Sequence, residues 1–327
     1  MSAAALAMIT CTPLPALAHP AHGDADAVRY AWIRGCGAPA KPCGDWILFR
    51  RDGSRTRLRD ARVKPLNAKG KTLNNDLAPL SVSDDGRRVA YFRKGDGRLV
   101  VRELGGDVHA IADEVPARGY GMGDVQTMLS QDGTRLAVDY VDEYDIKDKR
   151  PTDIYDVATG TKLGSIPWNV TLSGFSPDGD EVLATREREK SGEYELTDLF
   201  VFAVQGRQTI HARPPVKESF IPYGLTADGR KVATVGYEGG GVAFKVYDLA
   251  SEKVLTSIPM RLHTGKWSPD AIAWTAPAKI TVHLSHQDDG KPTRVRILEV
   301  DTTTKKITTR DSYTVAPGAL RFVSCGA

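Results

Sequence analysis

One short turn motif recurs along this chain at nearly constant spacing. It consists of a hydroxyl residue, two further residues and a glycine, and a β-prone apolar run follows each copy. Because glycine takes the positive φ that a tight turn between twisted strands requires, each copy predicts a β-hairpin. Neighbouring copies begin 46 to 50 residues apart. The four copies and a degenerate fifth are Ser83-Asp84-Asp85-Gly86, Ser130-Gln131-Asp132-Gly133, Ser176-Pro177-Asp178-Gly179, Thr226-Ala227-Asp228-Gly229 and Thr275-Ala276-Pro277-Ala278.

A second series of turns follows the third predicted strand of each repeat. Repeats of about 40–50 residues built from strands are typical of a β-propeller, in which each repeat is a four-stranded blade that needs neighbours to bury its faces. The sequence therefore predicts an all-β fold of four-stranded antiparallel blades. The second series is Asp52-Gly53, Gly105-Gly106, Thr159-Gly160, Gln205-Gly206, Ala250-Ser251 and Thr303-Thr304.

The repeat resembles the blades of TolB-like and WD40-like propellers of exported bacterial proteins. In those blades a Ser-Pro-Asp-Gly turn joins the first two strands, as at 176–179, and a Tyr-Asp-(Leu/Val) segment ends the third strand, as at 155–157 and 247–249. The resemblance covers nearly all of the chain after its first residues. It implies the fold but not the function, since propellers include both enzymes and pure binding proteins.

The two ends of the chain are expected to form one blade together. Residues 30–34, 46–49 and 56–59 read as the second, third and fourth strands of the first blade, and 318–325 reads as its missing first strand. Residues 19–327 then form a single domain. Six blades suit this length, because seven would require repeats shorter than every spacing observed. We predict a six-bladed propeller that the C-terminal strand closes.

The first 18 residues read as a signal peptide. They carry no charge and end Pro15-Ala16-Leu17-Ala18, which fits a small-x-small cleavage site, although the basic start of a typical leader is missing. Cys11 lies in a poor match to a lipoprotein motif. No later apolar run approaches the length of about 20 residues that spans a bilayer. We expect an extracytoplasmic protein without a transmembrane segment after processing.

Three cysteines remain after the leader is removed. In an exported protein they predict a disulfide rather than a metal site. Cys36 and Cys43 bracket a short loop and are the favoured pair, while a bond from either to Cys325 stays open.

The charged residues predict neither nucleic-acid nor metal binding. The net charge is only +3, and nucleic-acid binding requires a clustered basic face. Arg55, Arg57 and Arg59 alternate on an outer strand, where they protect an edge or, alternatively, bind an acidic envelope polymer. The acidic stretches 139–148 and 187–195 lack the spacing of a calcium loop and read as solvated loops. No cofactor is expected.

No catalytic motif stands out in the sequence. Gly174-Phe175-Ser176-Pro177 does not complete a nucleophile elbow. His283 and His286 should lie on opposite faces of a strand, as ordinary surface histidines. Residues 236–241 read as a mobile glycine-rich loop. The predicted inner strands contain no Asp, Glu or His, which favours a non-enzymatic protein that binds a protein, a peptide or an envelope polymer. The alternative is a lyase or hydrolase with catalytic residues on its loops.

Long connections are predicted on one face of the ring and tight turns on the other. The long segments are 63–76, 112–125, 142–152, 186–197, 212–221 and 284–293. Loops on a rigid scaffold commonly carry binding residues, and Tyr and Trp are favoured anchors. We predict that this face binds the partner of a monomeric protein, although each aromatic residue could instead pack between blades. The candidates are Tyr120, Tyr144, Trp168, Tyr194, Tyr223, Tyr237 and Trp267.

Overall fold

Six four-stranded antiparallel sheets form a ring in the computed structural model of the chain. The structure describes residues 25–140, 150–190, 193–214, 222–238, 241–261 and 267–325. Strands are numbered in chain order, and each blade is given from the central channel outward.

Blade 1 contains strands from both ends of the chain, and blades 2 and 3 follow it in sequence. Blade 1 consists of β24 (Ala319–Ser324), β1 (Val28–Cys36), β2 (Lys41–Arg50) and β3 (Arg55–Leu58). Blade 2 consists of β4 (Leu80–Val82), β5 (Arg88–Phe92), β6 (Leu99–Glu103) and β7 (Val108–Ala110). Blade 3 consists of β8 (Val125–Leu129), β9 (Arg135–Tyr140), β10 (Thr152–Asp156) and β11 (Lys162–Ile166), and a single 3₁₀ turn, Met122–Asp124, precedes β8.

The remaining three blades follow the chain without interruption. Blade 4 consists of β12 (Thr171–Phe175), β13 (Glu181–Lys190), β14 (Glu193–Ala203) and β15 (Gln208–Ala212). Blade 5 consists of β16 (Tyr223–Leu225), β17 (Lys231–Glu238), β18 (Gly241–Asp248) and β19 (Lys253–Met260). Blade 6 consists of β20 (Ser268–Ala276), β21 (Lys279–His286), β22 (Arg294–Asp301) and β23 (Lys306–Thr314).

The hydroxyl residue at the start of the recurring turn accepts a hydrogen bond from the backbone of the strand that follows. Ser176 is fully buried, and its Oγ accepts a hydrogen bond from the Glu181 amide at 3.0 Å and donates one to Asp178 at 2.6 Å. Gly179 has a φ of 73° and donates its amide to the Ser176 carbonyl at 2.9 Å. The same side-chain contact, at 2.9–3.0 Å, recurs in the other three complete copies. The motif therefore satisfies the buried polar groups of a tight turn.

The glycine of this turn also lets adjacent blades approach each other. A Cβ on Gly86 would lie 2.4 Å from the Val28 carbonyl oxygen of blade 1. Any larger residue there would force the two blades apart, in addition to straining the positive φ of 73°.

The hydrophobic core is divided into six clusters, one at each joint between adjacent blades. Alternation along a strand sends successive side chains to opposite neighbours. In β13, for example, Val182 and Ala184 pack toward blade 3, whereas Leu183 packs toward blade 5. No blade buries its faces alone, so the ring is the unit of stability.

Blade 1 closes the ring as predicted. β24 pairs antiparallel with β1, with Tyr30 opposite Ser324 and Trp32 opposite Phe322. At the joint with blade 6, the ring of Tyr30 stacks on Tyr313 at 5.2 Å, and Arg29 pairs with Asp311 at 3.1 Å. The prediction of six blades closed by the C-terminal strand is confirmed.

Candidate binding face

The connections between strands alternate between two faces of the ring, because neighbouring strands in every blade are antiparallel. We call the face with the first-to-second and third-to-fourth turns the tight-turn face. The opposite face, with the second-to-third and blade-to-blade connections, is the long-loop face.

One predicted loop on the long-loop face is instead a projecting hairpin. β13 and β14 stay paired through Glu187 opposite Leu196 as far as Lys190 opposite Glu193. This part of the hairpin extends beyond the blade body, so it lacks the apolar alternation by which a strand is recognised in sequence. Opposite charges across it, as at Arg188 and Glu195, favour the pairing instead.

The glycine-rich stretch also differs from its prediction. β17 and β18 remain paired up to Glu238 opposite Gly241. Paired strands at 236–238 and 241 therefore replace that part of the expected mobile loop.

The structure describes the side chains of four of the seven predicted aromatic residues. Tyr144 lies outside the described residues. Tyr194 and Tyr237 lie in β14 and β17, but their side chains are outside the described part. The four that remain are Tyr120, Trp168, Tyr223 and Trp267.

Tyr120 is part of a cation–π stack on the long-loop face. Its ring meets that of Tyr140 edge-to-face at 4.9 Å, and the Arg150 guanidinium lies 4.9 Å from the Tyr120 ring and 5.6 Å from the Tyr140 ring. The hydroxyl of Tyr140 accepts a hydrogen bond from the Ala117 amide at 3.1 Å. These contacts hold the connection before blade 3 against the end of β9.

Trp168 is the most exposed of the described candidates. It lies in the connection between β11 and β12, and 47 % of its surface is exposed. Arg186 of the projecting hairpin donates a hydrogen bond to the carbonyl of the next residue, Asn169, at 3.4 Å. Tyr223 of β16 differs, because it is only 3 % exposed and packs between blades 4 and 5.

Trp267 lies at the corner of blade 6. Its ring contacts His286 at 5.5 Å, and the Arg296 guanidinium lies 4.7 Å above it. Trp267 is half-buried against the cluster between blades 5 and 6. Its indole therefore combines a packing role with an accessible edge.

The inner strands enclose a cavity of about 420 Å³. Three carboxylates line it: Glu187 from the projecting hairpin, Asp270 from β20 and Asp84 from the turn after β4. Tyr223 and the hydroxyls of Thr171, Ser173 and Thr185 also line the cavity. Among the described residues of the lining there is no Lys, Arg or His. Glu187 and Asp270 lie toward the long-loop face and Asp84 lies at the tight-turn face.

The expectation that the inner strands carry no acidic residue is wrong. β20 begins at Ser268, earlier than the apolar residues 272–274 indicate, and therefore includes Asp270. Its carboxylate accepts a hydrogen bond from Ser285 at 3.0 Å, and enclosure by the channel raises its pKa. Burial, with a smaller contribution from Asp85, raises the pKa of Asp84 to about 7. The negative charge of the cavity is not balanced within its own walls.

The histidine and cysteine predictions had different outcomes. His286 contacts Trp267 on the blade 5 side, but His283 is 4 % exposed and is no surface residue. Burial lowers the pKa of His283 to about 3, with Arg310 and Arg51 contributing. Cys36 and Cys43 form the predicted disulfide, with a Cα–Cα distance of 5.9 Å. Cys325 is a buried free thiol whose pKa burial raises to about 11.

Among the described residues, no group of three or more His, Cys, Asp or Glu side chains is placed to hold a metal ion. No helix in the described part is long and apolar enough to cross a membrane.

The chain is a six-bladed β-propeller. Similar solved structures include TolB from Agrobacterium tumefaciens (16% identity, 78% of this chain and 90% of that chain, TM-score 0.47). TolB from Acinetobacter baumannii is also similar (16% identity, 90% and 66%, TM-score 0.46), as is Kuenenia stuttgartiensis hydrazine synthase (13% identity, 71% and 65%, TM-score 0.43). The chain spans just under two thirds of these last two proteins.

The prediction of a β-propeller is confirmed by the six four-stranded blades themselves. No protein-family model matches the chain, and no curated protein matches it in sequence.

Proposed function

We propose that this protein is an exported, non-enzymatic propeller that binds a protein, a peptide or an envelope polymer on its long-loop face. The leader-like residues 1–18 and the Cys36–Cys43 disulfide support a place outside the cytoplasm. The ring supplies a rigid scaffold for binding, and Tyr120, Trp168 and Trp267 lie in connections between blades on its long-loop face.

The observation that carries the proposal is the exposure of Trp168. Large aromatic side chains are normally withdrawn from water, and an accessible one on a rigid scaffold is a typical interface anchor. Trp168 is 47 % exposed between β11 and β12, beside the projecting hairpin. The stack of Tyr120, Tyr140 and Arg150 lies on the same face.

The acidic mouth of the channel favours basic groups on the partner. Glu187 and Asp270 line the cavity near the long-loop face, and no described residue of the lining neutralises them. Charges of one sign in a recess attract the opposite sign and speed association in a salt-dependent way. A partner that combines an apolar surface with basic groups would suit this rim.

Capture from an envelope extract of the cells that make the protein tests the proposal. Immobilised wild-type protein is compared with Trp168→Ala and with the matched control Leu255→Ala. Leu255 is 53 % exposed on the outer strand of blade 5, away from this rim. The partner captured by wild type and control should bind Trp168→Ala more weakly by about 2 kcal/mol, roughly 30-fold. Equal capture by Trp168→Ala would sink the assignment.

The acidic mouth is tested separately once that partner is purified. The double variant Glu187→Gln, Asp270→Asn should slow association at low salt and flatten its dependence on ionic strength. An unchanged salt dependence would show that the mouth makes no electrostatic contribution to binding.

A further inference from the structure

A side chain crosses the channel cavity at its tight-turn end. Gln131, the second residue of the turn after β8, extends from blade 3 to blade 6, where its Nε2 donates a hydrogen bond to the Trp274 carbonyl at 3.0 Å. Both residues line the cavity. In a ring of six blades, blades 3 and 6 lie opposite each other, so this hydrogen bond spans the channel. The crossing gives the cavity a floor at the tight-turn face and leaves the long-loop face as its mouth.

Asp84 lies on this floor, beside the crossing. It occupies the same position in the turn after β4 that Gln131 occupies after β8, and the amide of the next residue, Asp85, donates to the Gln131 carbonyl at 3.0 Å. Asp84 lines the cavity as well. No described side chain donates a hydrogen bond to its carboxylate, and the causes of its raised pKa, burial and Asp85, include no basic group. An enclosed carboxylate without a partner costs free energy that a bound cation would offset.

Two further carboxylates lie at the mouth of the cavity. Asp270 and Glu187 line it toward the long-loop face. Asp270 precedes Trp274 by four residues on β20, which corresponds to roughly 10–13 Å along the strand once its bulge is allowed for. The negative charge is therefore divided between the floor and the mouth, and a single metal ion could contact only one of these ends.

The lining between the two ends is small and neutral. It includes Ser173, Gly174, Gly224, Ile272 and Ala273. The inner strand of each blade is also a sheet edge, so some of its backbone carbonyls face the channel and can accept hydrogen bonds from ammonium groups. A cavity of about 420 Å³ with this lining suits an extended chain of methylenes that carries positive charges at its ends.

We propose that the channel cavity binds a linear aliphatic polyamine lengthwise, with one terminal ammonium at Asp84 on the floor and the other at Asp270 and Glu187 at the mouth. Each ammonium would form charge-assisted hydrogen bonds with a carboxylate that has no basic partner in the described lining. A lysine side chain of a protein partner is shorter than the distance between the two ends, so from the mouth it would reach only the first. The site does not depend on the partner proposed for the long-loop face.

Calorimetric titration with octamethylenediamine at low salt and pH 8 tests the site. Asp84 carries its charge at that pH, since its pKa is about 7. The diamine should bind about tenfold more tightly than aminooctanol, in which a hydroxyl replaces one ammonium. Asp84→Asn should abolish this difference, and so should the double variant Glu187→Gln, Asp270→Asn, because each leaves only one charged end. Asp107→Asn is the matched control, since Asp107 is an exposed aspartate in the β6–β7 turn of the tight-turn face, and it should preserve the difference.

Three results would overturn the inference. The first is equal binding of the diamine and the amino alcohol by wild type, and the second is a preference for the diamine that survives Asp84→Asn. The third is binding of N-acetyl-lysine N-methylamide as tight as that of the diamine, since one lysine side chain of a protein partner would then suffice. Trp168→Ala should leave the titration unchanged. Failure of the polyamine site therefore leaves the aromatic rim standing, and failure of the rim leaves the polyamine site standing.

Discussion

Truncation of Tyr30 tests whether ring closure governs the stability of the whole molecule. Tyr30 is 2 % exposed, and its ring lies between Phe49 of its own blade at 5.0 Å and Tyr313 of blade 6 at 5.2 Å. Trp32 and Ile297 complete the cluster at this joint. Tyr30→Ala removes the central ring of the closure and the hydrogen bond between its hydroxyl and the Ala316 backbone, while the backbone pairing of β1 with β24 stays in place.

The expected loss is a large part of the total stability. Deletion of a buried aromatic side chain costs about 3–5 kcal/mol, whereas natural domains are stable by about 5–15 kcal/mol. With a shift of about 2–4 °C per kcal/mol in large domains, Tm should fall by roughly 6–20 °C. Tyr30→Phe keeps both ring contacts and should lose only about 1 kcal/mol.

Thermal and urea unfolding followed by circular dichroism measure both variants. Hydrogen exchange should show the first loss of protection in β1 and β23, the strands that meet at the joint. A Tm within about 2 °C of wild type for Tyr30→Ala would refute the reasoning, since shifts that small correspond to under about 1 kcal/mol. It would mean that pairing of β24 with β1 closes the ring without this cluster.

Three further predictions follow from the closure, the disulfide and the channel. Deletion of residues 318–327 removes the inner strand of blade 1 and should cause cooperative unfolding or aggregation; a monomer with unchanged Tm would contradict this. Peptide mapping of exported protein without reductant should recover Cys36 joined to Cys43, and Cys36→Ser with Cys43→Ser should cost about 2 kcal/mol; two free thiols would reject the pairing. The pKa of Asp84, raised to about 7, favours the native state below pH 4, and that contribution is lost as the pH rises through 7. Urea denaturation at pH 8 should therefore give Asp84→Asn a free energy of unfolding about 1 kcal/mol or more above that of wild type. The difference should vanish near pH 4.

The features predicted well were those in which a local rule and the global fold agree. Each Asp-Gly turn needs only a hydroxyl residue and a glycine at positive φ, which lie within four residues. The motif is therefore visible in the sequence, and its spacing indicates the blades. The closing strand could be inferred because 318–325 keeps that spacing. The Cys36–Cys43 disulfide could be predicted because a short loop brings the ends of two neighbouring strands together.

The features missed were those that depend on contacts beyond the local sequence. Residues 186–197 resembled a loop, since a hairpin that projects from its blade has no core-facing stripe to reveal it. Asp270 was overlooked because the partner strand β21 extends β20 toward its start, past the apolar residues. The burial of His283 depends on blade 1 packing against blade 6, which no pattern near residue 283 encodes.

Ring closure by β24 also determines how the molecule could be attached to a surface or circularly permuted. The Cys325 amide donates to the Arg29 carbonyl at 3.1 Å and the Arg51 amide to the Ala27 carbonyl at 2.9 Å, so both ends of the described ring lie in one blade at the tight-turn face. A short linker could join them, and new ends could be opened at the Gly105-Gly106 turn with every joint between blades retained. A circularly permuted ring of this kind, or one immobilised through Ala25 or Cys325, would present the long-loop face to solution.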